Sequence, residues 1–143
     1  MEKSYLRTLL LKKFDWMESR VMALARQHGY EQVTPAMGRM FGHMTSKPVG
    51  LSDLARSLGV SRQALHRLAK DAAALGLVEF VPTVGNAKVV RLQFTAAGWA
   101  MSAQAAADFE AIEGQIAAVI GPKALLELKR VLALTWSEAE GSE

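Results

Sequence analysis

A row of hydrogen-bonding side chains stands out within residues 51–77, LSDLARSLGVSRQALHRLAKDAAALGL. At helical spacing its members share one face, and they are Arg62, Gln63, His66, Arg67 and Lys70. Such cations, amides and imidazoles can hydrogen-bond the edges of DNA bases or phosphate oxygens, and the row contains no acid. Any amphipathic helix has a polar face, however, and Asp71 beside the row could pair with Arg67 or Lys70. The residue types favour contact with DNA.

Two kinds of contact are expected from this surface. The candidates for base edges are Arg62, Gln63 and His66, and the candidates for phosphate oxygens are Arg67, Lys70, Ser61 and Ser52. Because a single helix fits the major groove of B-DNA, one such helix can make contacts of both kinds at once.

A helix-turn-helix would hold this row in place. Ser52 is expected to cap the first helix, Gly59 and Val60 to form the turn and fill the angle between the helices, and Ser61 to cap the second. The inward residues at helical spacing are Ala64, Leu65, Leu68, Ala72 and Leu75. Gly76 is positioned to end the second helix.

The pattern then changes to the alternation of apolar and polar residues that is typical of strands. Residues 78–80 and 90–94 alternate, and residues 82–87 between them are turn-forming, which predicts a two-stranded β hairpin, or wing. Its only cations are Lys88 and Arg91. They could contact phosphates or the minor groove, or they could simply keep an exposed hairpin hydrated.

The composition excludes several classes of protein. The chain has 143 residues, which suits one domain, and it has no apolar run long enough for a membrane span and no signal-like start. It has no cysteine, so a reducing cytoplasm is the expected location and no zinc finger or cysteine nucleophile is possible. The three histidines lack metal-binding spacing, and no phosphate loop or catalytic triad is indicated. We therefore expect no enzyme activity, metal or cofactor.

The charge is distributed unevenly along the chain. The net charge is +3, but residues 1–94 carry 14 Lys and Arg against 7 Asp and Glu, whereas residues 95–143 carry 3 against 7. A polyanionic partner on the N-terminal side is the natural interpretation.

Long apolar helices flank the helix-turn-helix. One is expected over residues 4–28, and a short one runs to about Met44 after an N-cap at Thr34 and a proline at its first position. Thr95 is expected to cap a helix that runs to about Ile120, and a last helix is expected over residues 122–138. The last is apolar around most of its circumference and must be covered. A second copy of the chain is the favoured cover, and packing within the monomer is the alternative.

A stripe of apolar residues on the short helix is a candidate ligand site. Met37, Met40, Phe41 and Met44 recur at helical spacing, and methionine suits an adaptable pocket, although such stripes more often form core. The candidate contacts for a small-molecule effector are Trp16, Met17, Met40, Met44 and, as a polar group for a carboxylate, His43.

This order of elements resembles the MarR (multiple-antibiotic-resistance regulator) family of winged helix-turn-helix transcription factors. The matching segments span essentially the whole chain and are LSDLARSLGVSRQALHRL, ALGLVEFVP, VRLQFTAAG and EAIEGQIAAVIGPKALLELKRVLAL. The resemblance implies a mainly α fold of six helices plus a two-stranded wing. It implies a single domain over residues 1–143, with a DNA-binding lobe at 34–94 and dimerisation helices at 1–33 and 95–143.

The resemblance also implies a function. Members bind double-stranded DNA at pseudo-palindromic operators as homodimers, usually as repressors, and many release DNA when a small aromatic acid or another lipophilic ligand binds. The family's wing carries Asp-x-Arg-Arg, whereas this chain has Gly85-Asn86-Ala87-Lys88, so minor-groove reading by the wing is in doubt and Asn86 could leave an Asp–Arg brace of the wing unmade. The alternative is a winged-helix module that binds protein without specific DNA binding.

Overall fold

The structure is a computed structural model that describes residues 3–83, 85–137 and 140 of the chain. Within that part of the chain it has helices α1 (Leu6–Gln27), α2 (Pro35–Gly42), α3 (Leu51–Leu58), α4 (Arg62–Ala74), α5 (Ala96–Ile120) and α6 (Pro122–Ala133), and strands β1 (Val49–Gly50), β2 (Val78–Thr83) and β3 (Asn86–Phe94). The mainly α, winged helix-turn-helix architecture is confirmed.

The sheet has one strand more than predicted. The predicted hairpin is present as β2 and β3, but β1 adds to the free edge of β3, so the antiparallel sheet has three strands in the order β1-β3-β2. Val49 pairs with Leu92, and Gly50 with Arg91. Two residues are too few to show a strand period in the sequence, and their pairing with β3 is not local.

The chain forms two compact units, residues 1–106 and 107–143, which divide within α5. The core of the first unit lies between α2, α3, α4 and one face of the sheet. Its largest fully buried side chains are Met40, Leu54, Leu65 and Leu92. Sequence and structure agree on two caps in this unit: Thr34 Oγ1 accepts from Met37 N, and Thr95 Oγ1 accepts from Gly98 N.

No residue of α1 is buried, so this helix adds no fully buried side chain to that core. Leu10, Met17, Val21, Met22 and Leu24 are half-buried, and the exposed large apolar side chains of α1 are Leu6, Leu9, Leu11, Phe14 and Trp16. An apolar face of this length on a surface helix of a single chain needs a cover.

The second unit contains the end of α5 and the whole of α6. Gly121, at a φ of 93°, separates the two helices, and Pro122 starts α6. Lys129 Nζ pairs with Glu113 Oε1 at 2.5 Å. Arg130 donates two hydrogen bonds to Glu127, which lower the pKa of that carboxyl.

Helix α6 is shorter than predicted and is also exposed. It ends at Ala133 rather than 138, because Leu134 has an extended backbone and the indole of Trp136 donates to the carbonyl of Val131. No residue of α6 is buried. Of the helices in the described ranges, none is long and apolar enough to cross a lipid bilayer.

Candidate nucleic-acid interface

Local backbone chemistry fixes both ends of α4. Ser61 is the N-cap, and its Oγ accepts a hydrogen bond from Ala64 N at 3.0 Å. Gly59 ends α3 in the left-handed conformation, at a φ of 69°, and Gly76 follows α4 at 78°. These three predictions are confirmed, and they place α4 directly after a tight turn, as a helix-turn-helix requires.

Two details of the helix-turn-helix differ from prediction. The N-cap of α3 is Gly50 rather than Ser52, because the helix begins at Leu51 and buries that side chain in the core. Ser52 is therefore inside the first turn and exposed. Val60 does not fill the angle between the helices, since 43% of it is exposed.

The inner face of α4 anchors the helix to the core. Leu65, Ala69 and Ala72 are fully buried. The prediction that Ala64 points inward is wrong: it is exposed, because it lies about a third of a turn from the centre of the buried sector. Leu68 is half-buried. Small residues at 69 and 72 allow the helix to pack closely on its neighbours.

The outer face of α4 presents the predicted row. Arg62, Gln63, His66, Arg67 and Lys70 are all exposed. At 3.6 residues per turn they occupy about 140° of the helix circumference, away from the buried sector. Among the side chains that the structure describes, no carboxylate pairs with Arg62, Arg67 or Lys70, so Asp71 does not neutralise the row.

The exposed end of α4 also offers a hydroxyl. Ser61 uses its oxygen as an acceptor for the helix cap, which leaves its O–H proton available for an outside acceptor. On α3, the neighbouring cation Arg56 is paired with Asp53 at 3.2 Å. The free positive charge of the helix-turn-helix is thus concentrated on α4.

His66 has a further contact that the sequence did not indicate. Its ring lies 5.5 Å from the ring of Phe80, centroid to centroid, with the planes tilted by 49°. Phe80 belongs to β2, so the row on α4 touches the wing directly. In the sequence Phe80 reads only as an inward strand residue, because its approach to α4 depends on how the sheet and helix pack.

Of the two wing cations, only Arg91 has a side chain within the described part of the chain. Phe80 pairs with Leu92 in the sheet, so both point to the face that packs against α4 and the core. Arg91, next to Leu92, points to the opposite face and is exposed. The side chain of Lys88, together with those of Asn86 and Ala87, lies outside the described part, so contact of Lys88 and Arg91 with DNA stays a prediction.

Solved structures share this arrangement over most of their length. MarR from E. coli in its apo form has a TM-score of 0.75 at 16% identity, covering 92% of this chain and 96% of that chain. A MarR family protein of Mycobacterium tuberculosis in complex with salicylic acid has a TM-score of 0.70 at 22% identity, covering 92% and 96%. The chain has the MarR fold.

A third similar structure is bound to an oligodeoxyribonucleotide. A MepR mutant of S. aureus bound to an oligodeoxyribonucleotide has a TM-score of 0.64 at 13% identity and covers 90% of this chain and 94% of that chain. No family model matches the sequence, and no curated protein matches it either. At these identities the likeness establishes the fold, and function has to be argued from the site.

Within the MarR fold, the predicted effector contacts are divided between core and surface. Met40 is 0% exposed and Met44 is buried, in one cluster with Leu51, Leu54 and Leu65. An effector could reach these two methionines only if that core opened. Trp16, Met17 and His43 are exposed or half-buried, and Arg20 lies over the Trp16 ring at 4.9 Å.

Proposed function

We propose that the protein is a sequence-specific DNA-binding transcriptional regulator that acts as a homodimer, most simply as a repressor. The proposal rests on the unpaired cations, amide and imidazole exposed along α4, a helix that is anchored to the core by the fully buried Leu65, Ala69 and Ala72. Among the similar solved structures, one is named as a transcriptional regulator, one as a multiple antibiotic resistance repressor, and the MepR mutant is bound to an oligodeoxyribonucleotide. The protein would act in the cytoplasm, where its DNA site lies.

The roles of the α4 residues follow from their chemistry. Arg62, Gln63 and His66 lie on the first two turns and would hydrogen-bond base edges in the major groove. Arg67 and Lys70, with the free O–H of Ser61, would bind phosphates and set the position of the helix. Ser52, in the first turn of α3, would add a further phosphate contact.

Dimer formation is supported by two exposed apolar faces. Neither α1 nor α6 has a buried residue, and both display large apolar side chains. A second copy related by a two-fold axis would cover these faces and present two α4 helices to successive major grooves about 34 Å apart. The operator would then be an inverted repeat.

A small aromatic acid is the proposed effector. Its support is the MarR-family structure in complex with salicylic acid, which shares this fold. The proposed contacts are Trp16, Met17, Met40, His43 and Met44. Because Met40 and Met44 belong to the core beneath α3 and α4, an effector that separates them would displace the DNA-reading helices and lower DNA affinity.

The salt dependence of DNA binding tests this function. If the dimer neutralises about six phosphates, the logarithm of affinity should fall with the logarithm of salt concentration at a slope of about −5. Between 50 and 200 mM salt, affinity should fall by roughly a thousandfold. Fluorescence anisotropy with a labelled duplex of mixed sequence measures both quantities.

The same titration separates DNA binding from protein binding. A slope near zero, or no binding at the lowest salt, would contradict the proposal and favour a winged-helix module with a protein partner. Such a partner should instead need apolar anchors, which the row on α4 lacks.

Dimerisation through the exposed faces predicts a selective effect of one charge. Leu126 on α6 is 68% exposed, so Leu126→Glu should leave the fold of each chain intact. In a dimer the same glutamate would be buried without a partner, which should weaken association by at least about tenfold. Sedimentation velocity over a range of concentrations measures this, with Arg39→Glu, at an exposed site on α2 outside the two proposed faces, as the control. Equal behaviour of the two variants and the wild type would place the dimer interface elsewhere.

A further inference from the structure

The contact between His66 and Phe80 joins the DNA-reading helix to the wing. The two rings lie 5.5 Å apart and are tilted by 49°, which is within the range of favourable aromatic pairs. The residues come from two consecutive elements of the chain, α4 and β2. No other residue in the row on α4 has an aromatic contact among the described residues.

Phe80 is the fixed member of the pair. It is half-buried, packs against the hydrophobic core and pairs in the sheet with Leu92, which is fully buried. Its neighbour two residues earlier, Val78, is also buried. A ring held by both strand pairing and core packing has little freedom to move.

His66 is the exposed member. Its side chain is open to solvent, and neither ring nitrogen has a hydrogen-bond partner within the described part of the chain. Phe80 therefore restricts the rotation of the imidazole while it leaves both nitrogens at the ring edge available. An exposed histidine without such a neighbour would sample several rotamers and lose that freedom on binding.

From this geometry we infer that Phe80 is a positioning residue that sets the imidazole of His66 for a hydrogen bond to one base edge, and so sharpens sequence preference at one base pair of each half-site. The inference rests on the proposed function. Restricting one side chain before binding is worth up to about tenfold in affinity, and this gain is available only on a duplex that offers His66 the right acceptor or donor. Phe80 thus increases discrimination more than it increases general affinity for DNA.

The test compares sequence preference among variants. Duplexes are selected from a random pool with the wild-type protein, and the affinity of each variant is then measured for the selected site and for its single-base changes. His66→Ala should abolish the preference at one symmetric pair of positions. Phe80→Leu should reduce the preference at the same positions by roughly three- to tenfold and leave the other positions unchanged.

Three controls separate positioning from a purely structural role. Phe80→Tyr keeps the aromatic ring and should keep the preference. Val90→Ala removes a half-buried contact with the same core from β3 and should change no preference. When His66 is already alanine, adding Phe80→Leu should have no further effect on preference, since Phe80 acts through His66.

The ring contact has a readout without DNA. The ring-proton NMR signals of His66 should be shifted by the Phe80 ring current in the wild type and in Phe80→Tyr, and should move toward free-histidine positions in Phe80→Leu. If Phe80→Leu weakens binding to all duplexes equally, or has the same effect with and without His66, the inference is wrong while the proposed function stands. If the wild type enriches no sequence at all, the proposed function itself fails.

Discussion

Replacing Arg62 and Arg67 together by alanine should reduce the affinity for a selected operator by at least about a hundredfold. Both guanidinium groups are exposed on α4 and have no carboxylate partner among the described side chains, so their removal costs the folded chain little. Each is used twice in a two-fold symmetric complex. At about 1–3 kcal/mol for a good arginine contact, the loss should exceed roughly 3 kcal/mol even if the contacts are not additive.

The single variants should lose binding in different ways. Arg62→Ala should relax the sequence preference at one base pair per half-site, because Arg62 is assigned to a base edge. Arg67→Ala should weaken binding to all duplexes alike and bring the salt slope from about −5 to about −3.5, because two of about six phosphate contacts per dimer are lost. Fluorescence anisotropy at several salt concentrations distinguishes the two patterns.

A matched variant controls for net charge. Arg39 on α2 and Lys123 on α6 are exposed cations outside the proposed interface. Arg39→Ala combined with Lys123→Ala removes as much positive charge as the first double variant. If this control loses as much affinity, the effect is one of overall charge and α4 has no special role. If Arg62 and Arg67 can be removed with no loss of affinity, DNA binding through α4 is excluded.

The sequence predicted best what local chemistry determines. Thr34, Ser61 and Thr95 each cap the helix that follows, and Gly59 and Gly76 adopt the left-handed conformations that a turn and a helix end need. These features depend on a few consecutive residues, so they can be inferred without knowing the fold. Gly59, Ser61 and Gly76 also determine where α4 starts and ends.

The errors arose where burial competes with local preference. Ser52 is a good capping residue, but starting α3 at Leu51 brings Leu51, Leu54 and Leu58 onto one buried face. The gain from burying a leucine exceeds the roughly 1 kcal/mol of a serine cap, so Gly50 takes the cap position. Val60 is exposed because the leucines of α3 and α4 already fill the core between these helices.

Contacts between distant segments could not be predicted from residue patterns. The pairing of β1 with β3 and the sheet face on which Arg91 lies depend on strand register. The contact of His66 with Phe80 depends on how α4 packs against the sheet. A shift of one residue in that register would reverse every side chain of a strand. The methionine stripe on α2 is a similar case: its spacing suits core and pocket equally, and only packing shows that Met40 is fully buried.

The junction between the sheet and α5 should tolerate no side chain at position 98. A Cβ on Gly98 would lie 2.0 Å from the carbonyl oxygen of Leu77 and 2.9 Å from Cδ1 of Phe94. That carbonyl cannot turn away freely, because it accepts a hydrogen bond from Thr95 N at 3.1 Å. Thr95 Oγ1 also donates to the carbonyl of Gly76 at 2.6 Å, so the start of α5 is held against the start of β2.

Gly98→Ala should therefore lower the free energy of unfolding by roughly 3 kcal/mol or more, since a backbone clash cannot be relieved by a change of rotamer. For a chain of this size the midpoint of thermal unfolding should fall by roughly 10 °C. Circular dichroism at a fixed protein concentration measures the shift.

The matched control is Gly114→Ala on the same helix, where a Cβ meets nothing within 4 Å. That substitution should raise stability by about 0.5–1 kcal/mol, because alanine restricts the unfolded chain and favours the helix. If both variants unfold at the wild-type temperature, the start of α5 does not approach the carbonyl oxygen of Leu77 closely. The junction between the sheet and α5 would then have room for a side chain at position 98.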